Sequence, residues 1–69
     1  MSDISWSSIS RILKKTGAER ISNESVEELR RVIEDIASEI ARDAITLSKH
    51  AGRKTIKGED IKLASKRFK

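Results

Sequence analysis

The sequence predicts an all-α chain: a short helix, a long central helix and a second short helix. Three observations carry this. Apolar residues recur every three or four positions in each segment, the period of a helix with one buried face. The run from Asn23 to Ala51 holds neither glycine nor proline. Two connectors that flank it, "GAERISN" (17–23) and "GRKTIK" (52–57), each open on glycine and carry cations.

The first helix is expected from about Trp6 to Lys15. Trp6, Ile9, Ile12 and Leu13 form its stripe, and Lys14 and Lys15 fall in its last turn ahead of Gly17. Cations complement the carbonyl end of a helix, and glycine supplies the backbone freedom that stops it. Ser22 or Asn23 can then cap the central helix, with Glu24 favourably placed in its first turn.

The central helix is expected from about Asn23 to Ala51. Val26, Leu29, Ile33, Ile36, Ile40, Ala44, Leu47 and Ala51 step by three or four, and Val32, Ala37, Ala41 and Ile45 widen the stripe. At 1.5 Å per residue it reaches about 40 Å. A compact globule of this chain length is roughly 22–25 Å across, so two short helices cannot cover it. A stripe this wide belongs to a helix contacted on more than one side. Two copies crossing by their long helices is the economical arrangement. In the second connector, Thr55 and Ile56 are suited to a short extended piece. The last helix is expected from Glu59 to Phe68, with Ile61, Ala64 and Phe68 on one face, acids at its start and Lys66, Arg67 and Lys69 at its end.

Composition narrows the functional classes. With 69 residues the chain forms one domain, 1–69, near the lower size limit for a self-sufficient core. It has no cysteine and one histidine, so neither a disulfide framework nor a structural zinc site stabilises it. Oligomerisation is the support that remains. Residues 1–10 lack a secretory pattern, and no stretch approaches a membrane span, so an intracellular, soluble chain is expected. No metal or other cofactor is expected, and no nucleophile motif accompanies His50, so an enzyme is not.

Charge is segregated. The net charge is +4, made of +2 over residues 1–21, −3 over 22–49 and +5 over 50–69. Cations gather in the ends and connectors, as they would in a protein with one edge facing an anion.

These segments also carry a resemblance. "HAGRKTIKGEDIKLASKRF" (50–68) closely resembles the second half of archaeal histones, and "ISRILKKTGAERIS" (9–22) resembles their first helix and loop. The likeness covers all but residues 1–5. It implies the histone fold as an intertwined handshake dimer, a chain without tails, and a cytoplasmic, chromosome-associated protein that wraps and compacts double-stranded DNA in nucleosome-like arrays without reading sequence. Its implied partners are duplex DNA, a second copy or a paralogous histone, and further dimers along DNA, with no membrane.

The resemblance also implies site residues. In a head-to-tail dimer, Arg20 of one chain lies beside Lys54 and Thr55 of the other. Arg20 matches the minor-groove arginine, Thr55 the residue that orients it, and Lys54 a phosphate contact. Histone octamers hold DNA in this way, with minor-groove arginines, helix dipoles and main-chain contacts. Arg11 and Lys14, opposite the apolar face of the first helix, and Lys57, more weakly, complete the DNA-binding set. The plainer readings are a surface ion pair of Arg20 with Glu24, a strand-forming Thr55 and solvated lysines.

Arg53 and Asp60 match a structural ion pair that ties the second loop to the last helix. His50, facing Asp60 of a neighbouring dimer with Leu47 alongside, matches the dimer–dimer contact; the alternative is an exposed histidine stabilised by the helix end. Gly17 matches a small residue where superhelical turns stack, and it is equally a helix stop.

Two departures from the family stand out. "SWSSIS" replaces a start that often holds proline, with Trp6 at an aliphatic position, where it is expected to pack into the dimer core. Positions that pair opposite charges between stacked turns are here like-signed, Arg31 with Lys62 and Lys49 with Lys15, whereas Asp35 with Lys66 stays attractive. Stacking is therefore expected to be weaker or more salt-dependent.

The principal alternative is a histone-fold heterodimerisation subunit of a transcription-related complex. A helix-turn-helix reader is disfavoured by the long central helix, and a membrane-surface helix by that helix's net negative charge.

Overall fold

The computed structural model describes residues 4–69. It contains three α-helices, α1 (Trp6–Lys15), α2 (Asn23–His50) and α3 (Gly58–Ala64), and α3 continues into a 3₁₀ turn, Ser65–Phe68. No strand occurs among the described residues. The chain is all-α, with the short–long–short order of the histone fold.

Each helix starts and stops for local reasons. Ser5 caps α1 from extended backbone, and its Oγ accepts the Ser8 N–H at 3.1 Å. Ser22 caps α2 by accepting the Ser25 N–H at 3.1 Å, which settles the choice between Ser22 and Asn23. Both α1 and α2 end in the same six-residue motif. Gly17 (φ 109°) and Gly52 (φ 73°) occupy the left-handed region that favours glycine. The Gly17 and Ala18 N–H groups return to the carbonyls of Lys14 and Leu13, both at 3.1 Å. Those of Gly52 and Arg53 return to Lys49 and Ser48, both at 2.9 Å.

Two boundaries differ from expectation. α2 stops at His50, because Ala51 already belongs to the turn that Gly52 closes. The last helix tightens after Ala64, where Ser65 Oγ donates to the Lys62 carbonyl at 2.9 Å. Thr55 and Ile56 form no strand.

The described residues fall into two compact units, divided within α2 between Asp35 and Ile36. In the first, Ile9 of α1 and Val26 of α2 are fully buried. The exposed surface of α2 there carries i,i+3 ion pairs, Arg30–Glu27 and Arg31–Glu28. In the second, Ala44, Ser48, Asp60 and Ala64 are buried, and Arg67 reaches back from the 3₁₀ turn to Asp43 at 3.1 Å.

Few large apolar side chains are covered. Among the described residues, Ile9, Val26, Ala44 and Ala64 make up the buried apolar set. Trp6, Ile12, Val32, Ile45, Ile56, Ile61, Leu63 and Phe68 remain 39–52% exposed. Fully burying a side chain of this size contributes about 1.5–3 kcal/mol, so the uncovered set represents stabilisation that a single chain leaves unrealised.

Candidate nucleic-acid interface

The second loop is held by one buried carboxylate. Asp60, 4% exposed, accepts from Arg53 through both oxygens, Nη1 to Oδ2 and Nη2 to Oδ1, each at 2.9 Å. The Lys57 backbone N–H donates to Oδ2 at 2.8 Å, and the Asp60 N–H returns to the Lys57 carbonyl at 3.0 Å. This reciprocal pair caps α3. Arg53 Nη1 also donates to the Thr55 carbonyl at 2.9 Å. The guanidinium thus spans the loop, and every polar atom of the Asp60 carboxylate has a partner. Hydrogen bonds from Arg53, then from the Lys57 N–H, favour the ionised form and lower the Asp60 pKa to about 2. The same pairing raises the pKa of Arg53.

With Arg53 turned inward, Lys54, Thr55, Ile56 and Lys57 are left exposed. Neither lysine is in an ion pair among the described residues. Schellman closure at Gly52 fixes where the loop leaves α2, and Asp60 fixes where it enters α3. The cations therefore project from a backbone held at both ends, so ordering the loop on a ligand costs little.

In the first unit, Arg11, Lys14 and Arg20 are exposed. Arg20 makes no ion pair with Glu24. Arg11, Lys14 and Lys15 line one shallow depression along α1 with Trp6, Ser7 and Ser10. Trp6 is 41% exposed in the single chain.

Comparison with known proteins decides the family. Residues 4–64 match the model of the histone-like transcription factor (CBF/NF-Y) and archaeal histone family. One of the subunits of the archaeal histone HAN1 of Thermococcus zilligii is 39% identical over 66 residues, covering 96% of this chain and 98% of that protein. Probable archaeal histone 3 of Methanocaldococcus jannaschii is 52% identical over 54 residues, 78% of this chain and 81% of the relative. Histone H4, major, of Tetrahymena pyriformis is 36% identical over 59 residues, 86% of this chain and 57% of its own length. The chain belongs to the archaeal histone family. It is a histone-fold, DNA-binding chromatin protein, and its role is structural.

The other sequence-derived residues of this histone chain fall at recognisable places. His50 is exposed at the last position of α2, beside Thr46 and Lys49 along a shallow surface. Leu47 is half-buried and lines an open groove with Leu63 and Ala64. Within the chain, Asp60 is engaged by Arg53 and the Lys57 N–H, and His50 makes no hydrogen bond to it. Gly17 has the geometry of a helix-ending glycine, and a Cβ there would meet nothing within 4 Å. Helix termination accounts for Gly17 within the chain, and the open space on its surface is free for a neighbour.

Sequence reasoning missed Arg67. It pairs with Asp43 at 3.1 Å and Glu39 at 3.8 Å, and its guanidinium lies 4.9 Å from the Phe68 ring centroid. The i,i+4 spacing of Glu39 and Asp43 was the available signal, since it places two carboxylates on one side of α2. Among the described residues no group of three His, Cys, Asp or Glu could hold a metal, and no helix is long and apolar enough to cross a membrane.

Proposed function

We propose that this chain binds double-stranded DNA without reading its sequence, wraps and compacts it, and does so as a handshake dimer whose copies assemble side by side on the chromosome. The observation that carries this is the second loop: Arg53 and Asp60 lock it, and Lys54, Thr55 and Lys57 stand exposed on it. A loop held this way presents cations to a phosphate backbone at low ordering cost.

The whole chain, residues 1–69, acts as one histone-fold domain once paired. Its uncovered apolar side chains, Trp6, Val32 and Ile45 among them, support a partner chain that buries them. In the dimer, Arg20 of one chain lies beside Lys54 and Thr55 of the other. Arg20 enters the minor groove, Thr55 orients it, and Arg11, Lys14, Lys54 and Lys57 neutralise phosphates. Binding is mostly electrostatic, and sequence preference follows duplex bendability. Between dimers, Leu47 packs and His50 meets Asp60 of the neighbour. Between superhelical turns, Gly17 permits close approach.

The chain has no cysteine, which gives a direct test of the pairing. Chains carrying Arg20→Cys are mixed with chains carrying Thr55→Cys and oxidised. Heterologous disulfide dimers forming ahead of like-with-like dimers support the arrangement. Equal yields of all pairings oppose it. A second reading, a heterodimerisation subunit, draws support from the name of the Thermococcus zilligii relative, which marks that protein as one subunit of a histone. Titration of the purified chain by sedimentation separates the two: a stable homodimer favours wrapping by copies of this chain, and a monomer favours the mixed pair.

A further inference from the structure

Among the described residues the buried polar side chains are Ser10, Ser48 and Asp60. A polar group taken out of water costs free energy unless it finds a partner. Asp60 has Arg53 and the Lys57 N–H. Ser48 folds back on its own helix and donates to the Ile45 carbonyl at 2.9 Å. Ser10, 5% exposed, makes no side-chain hydrogen bond among the described residues. No fully enclosed side-chain oxygen or nitrogen there lacks a partner. The Ser10 hydroxyl therefore opens onto a surface, and the surface that Ser10 lines is the shallow depression along α1.

That depression is cationic. Arg11 and Lys14 line it with Ser10, α1 contains no acid, and neither cation is in an ion pair among the described residues. On a helix of 3.6 residues per turn, Ser10, Lys14 and Arg11 share an arc of about 100°. Lys14 stands one turn beyond Ser10, with Cβ atoms about 5–6 Å apart. Trp6 and Lys15 lie about 40° outside the arc on either side, so the three residues form a site without them. Ser7 belongs to the helix cap, where its Oγ is 3.4 Å from that of Ser5.

We propose that Ser10, Arg11 and Lys14 form a socket for one phosphate group of a DNA duplex, in which the Ser10 hydroxyl donates to a phosphate oxygen and fixes where that phosphate sits. This deepens the DNA-binding reading above and rests on it. The two cations attract the phosphate but place it loosely, because their long side chains sample many rotamers. Ser10 supplies the position. Its short side chain is held by packing, so it loses little freedom on binding. A hydroxyl set in a water-poor wall also makes a stronger hydrogen bond than one in bulk water. Alanine would fill the same packing site with higher helix propensity and no polar group to desolvate, so packing alone does not call for serine.

The test compares the parent with Ser10→Ala by fluorescence anisotropy on a short mixed-sequence duplex at several salt concentrations. One hydrogen bond to a charged acceptor is lost per chain, so affinity is expected to fall roughly tenfold or more at every salt concentration. No charge is removed, so the log–log salt slope stays that of the parent. Arg11→Gln, by contrast, makes the slope shallower by about 0.9 per chain. The melting temperature and dimer affinity of Ser10→Ala should equal or exceed the parent's. Given weaker binding by Ser10→Ala, inorganic phosphate set against chloride at equal ionic strength identifies the source of the phosphate. Extra displacement of duplex from the parent but not from Ser10→Ala means that free phosphate also enters the socket; equal displacement means that only backbone phosphate does. Equal affinity of the two proteins overturns the proposal, and so does a fall that a lower melting temperature or a weaker dimer accounts for. A parent that binds no duplex sinks the DNA-binding reading itself.

Discussion

Replacing Lys54 by glutamine isolates the contribution of the second loop to DNA affinity. Lys54 is exposed and unpaired, so its removal breaks nothing inside the chain. In the proposed dimer each chain offers four cations to phosphate, Arg11, Lys14, Lys54 and Lys57, hence eight in all. At about 0.9 per phosphate, the log–log salt slope of the parent dimer is about −7, and affinity falls on the order of 10⁴-fold from 50 to 200 mM salt. Lys54→Gln removes two contacts per dimer, so the slope becomes about −5.4 and the same rise in salt costs on the order of 10³-fold. Fluorescence anisotropy on a short mixed-sequence duplex at several salt concentrations reads both slopes, and thermal melting checks that stability is unchanged. Equal slopes for the two proteins at full stability would refute the placement of Lys54 on phosphate.

Asp60→Asn should loosen the second loop at neutral pH, seen as faster hydrogen exchange at the Lys57 amide, which now donates to that carboxylate. The parent should show the same loosening only in acid. The Asp60 pKa is lowered from 3.8 to about 2, so its stabilisation is complete above about 4 and is lost as pH falls through about 2. Gly52→Ala should destabilise the protein by about 1–2 kcal/mol in chemical denaturation, because φ is 73° there even though a Cβ meets no atom within 4 Å. His50→Ala should shorten protein arrays on DNA, measured by crosslinking ladders, while the dimer stays folded; unchanged array length removes His50 from the dimer–dimer contact.

Much of the fold was legible because it is written in local chemistry. The apolar steps from Val26 to Leu47, unbroken by glycine or proline, announce α2, and Gly17 and Gly52 sit where backbone geometry demands them. The break after Ala64 was not legible, since "SKRF" has nothing that forbids another α-turn. The site divides the same way. Lys54 and Thr55 were marked by motif and by the loop's charge. The bidentate geometry of Arg53 on Asp60 depends on how α3 returns beside the end of α2, which no local pattern encodes. The Arg67 cluster was hidden for the same reason. Its partners lie more than twenty residues away, and ordinary helix spacing gives no sign of which distant cation they meet.

The central claim, that copies of this chain wrap a duplex by assembling along it, is tested most directly by nuclease digestion of mixed-sequence DNA saturated with the purified protein. The account predicts a ladder of protected fragments at regular increments, each step the length covered by one more dimer. A smear like that of bare DNA would contradict it and would favour the heterodimer-subunit reading.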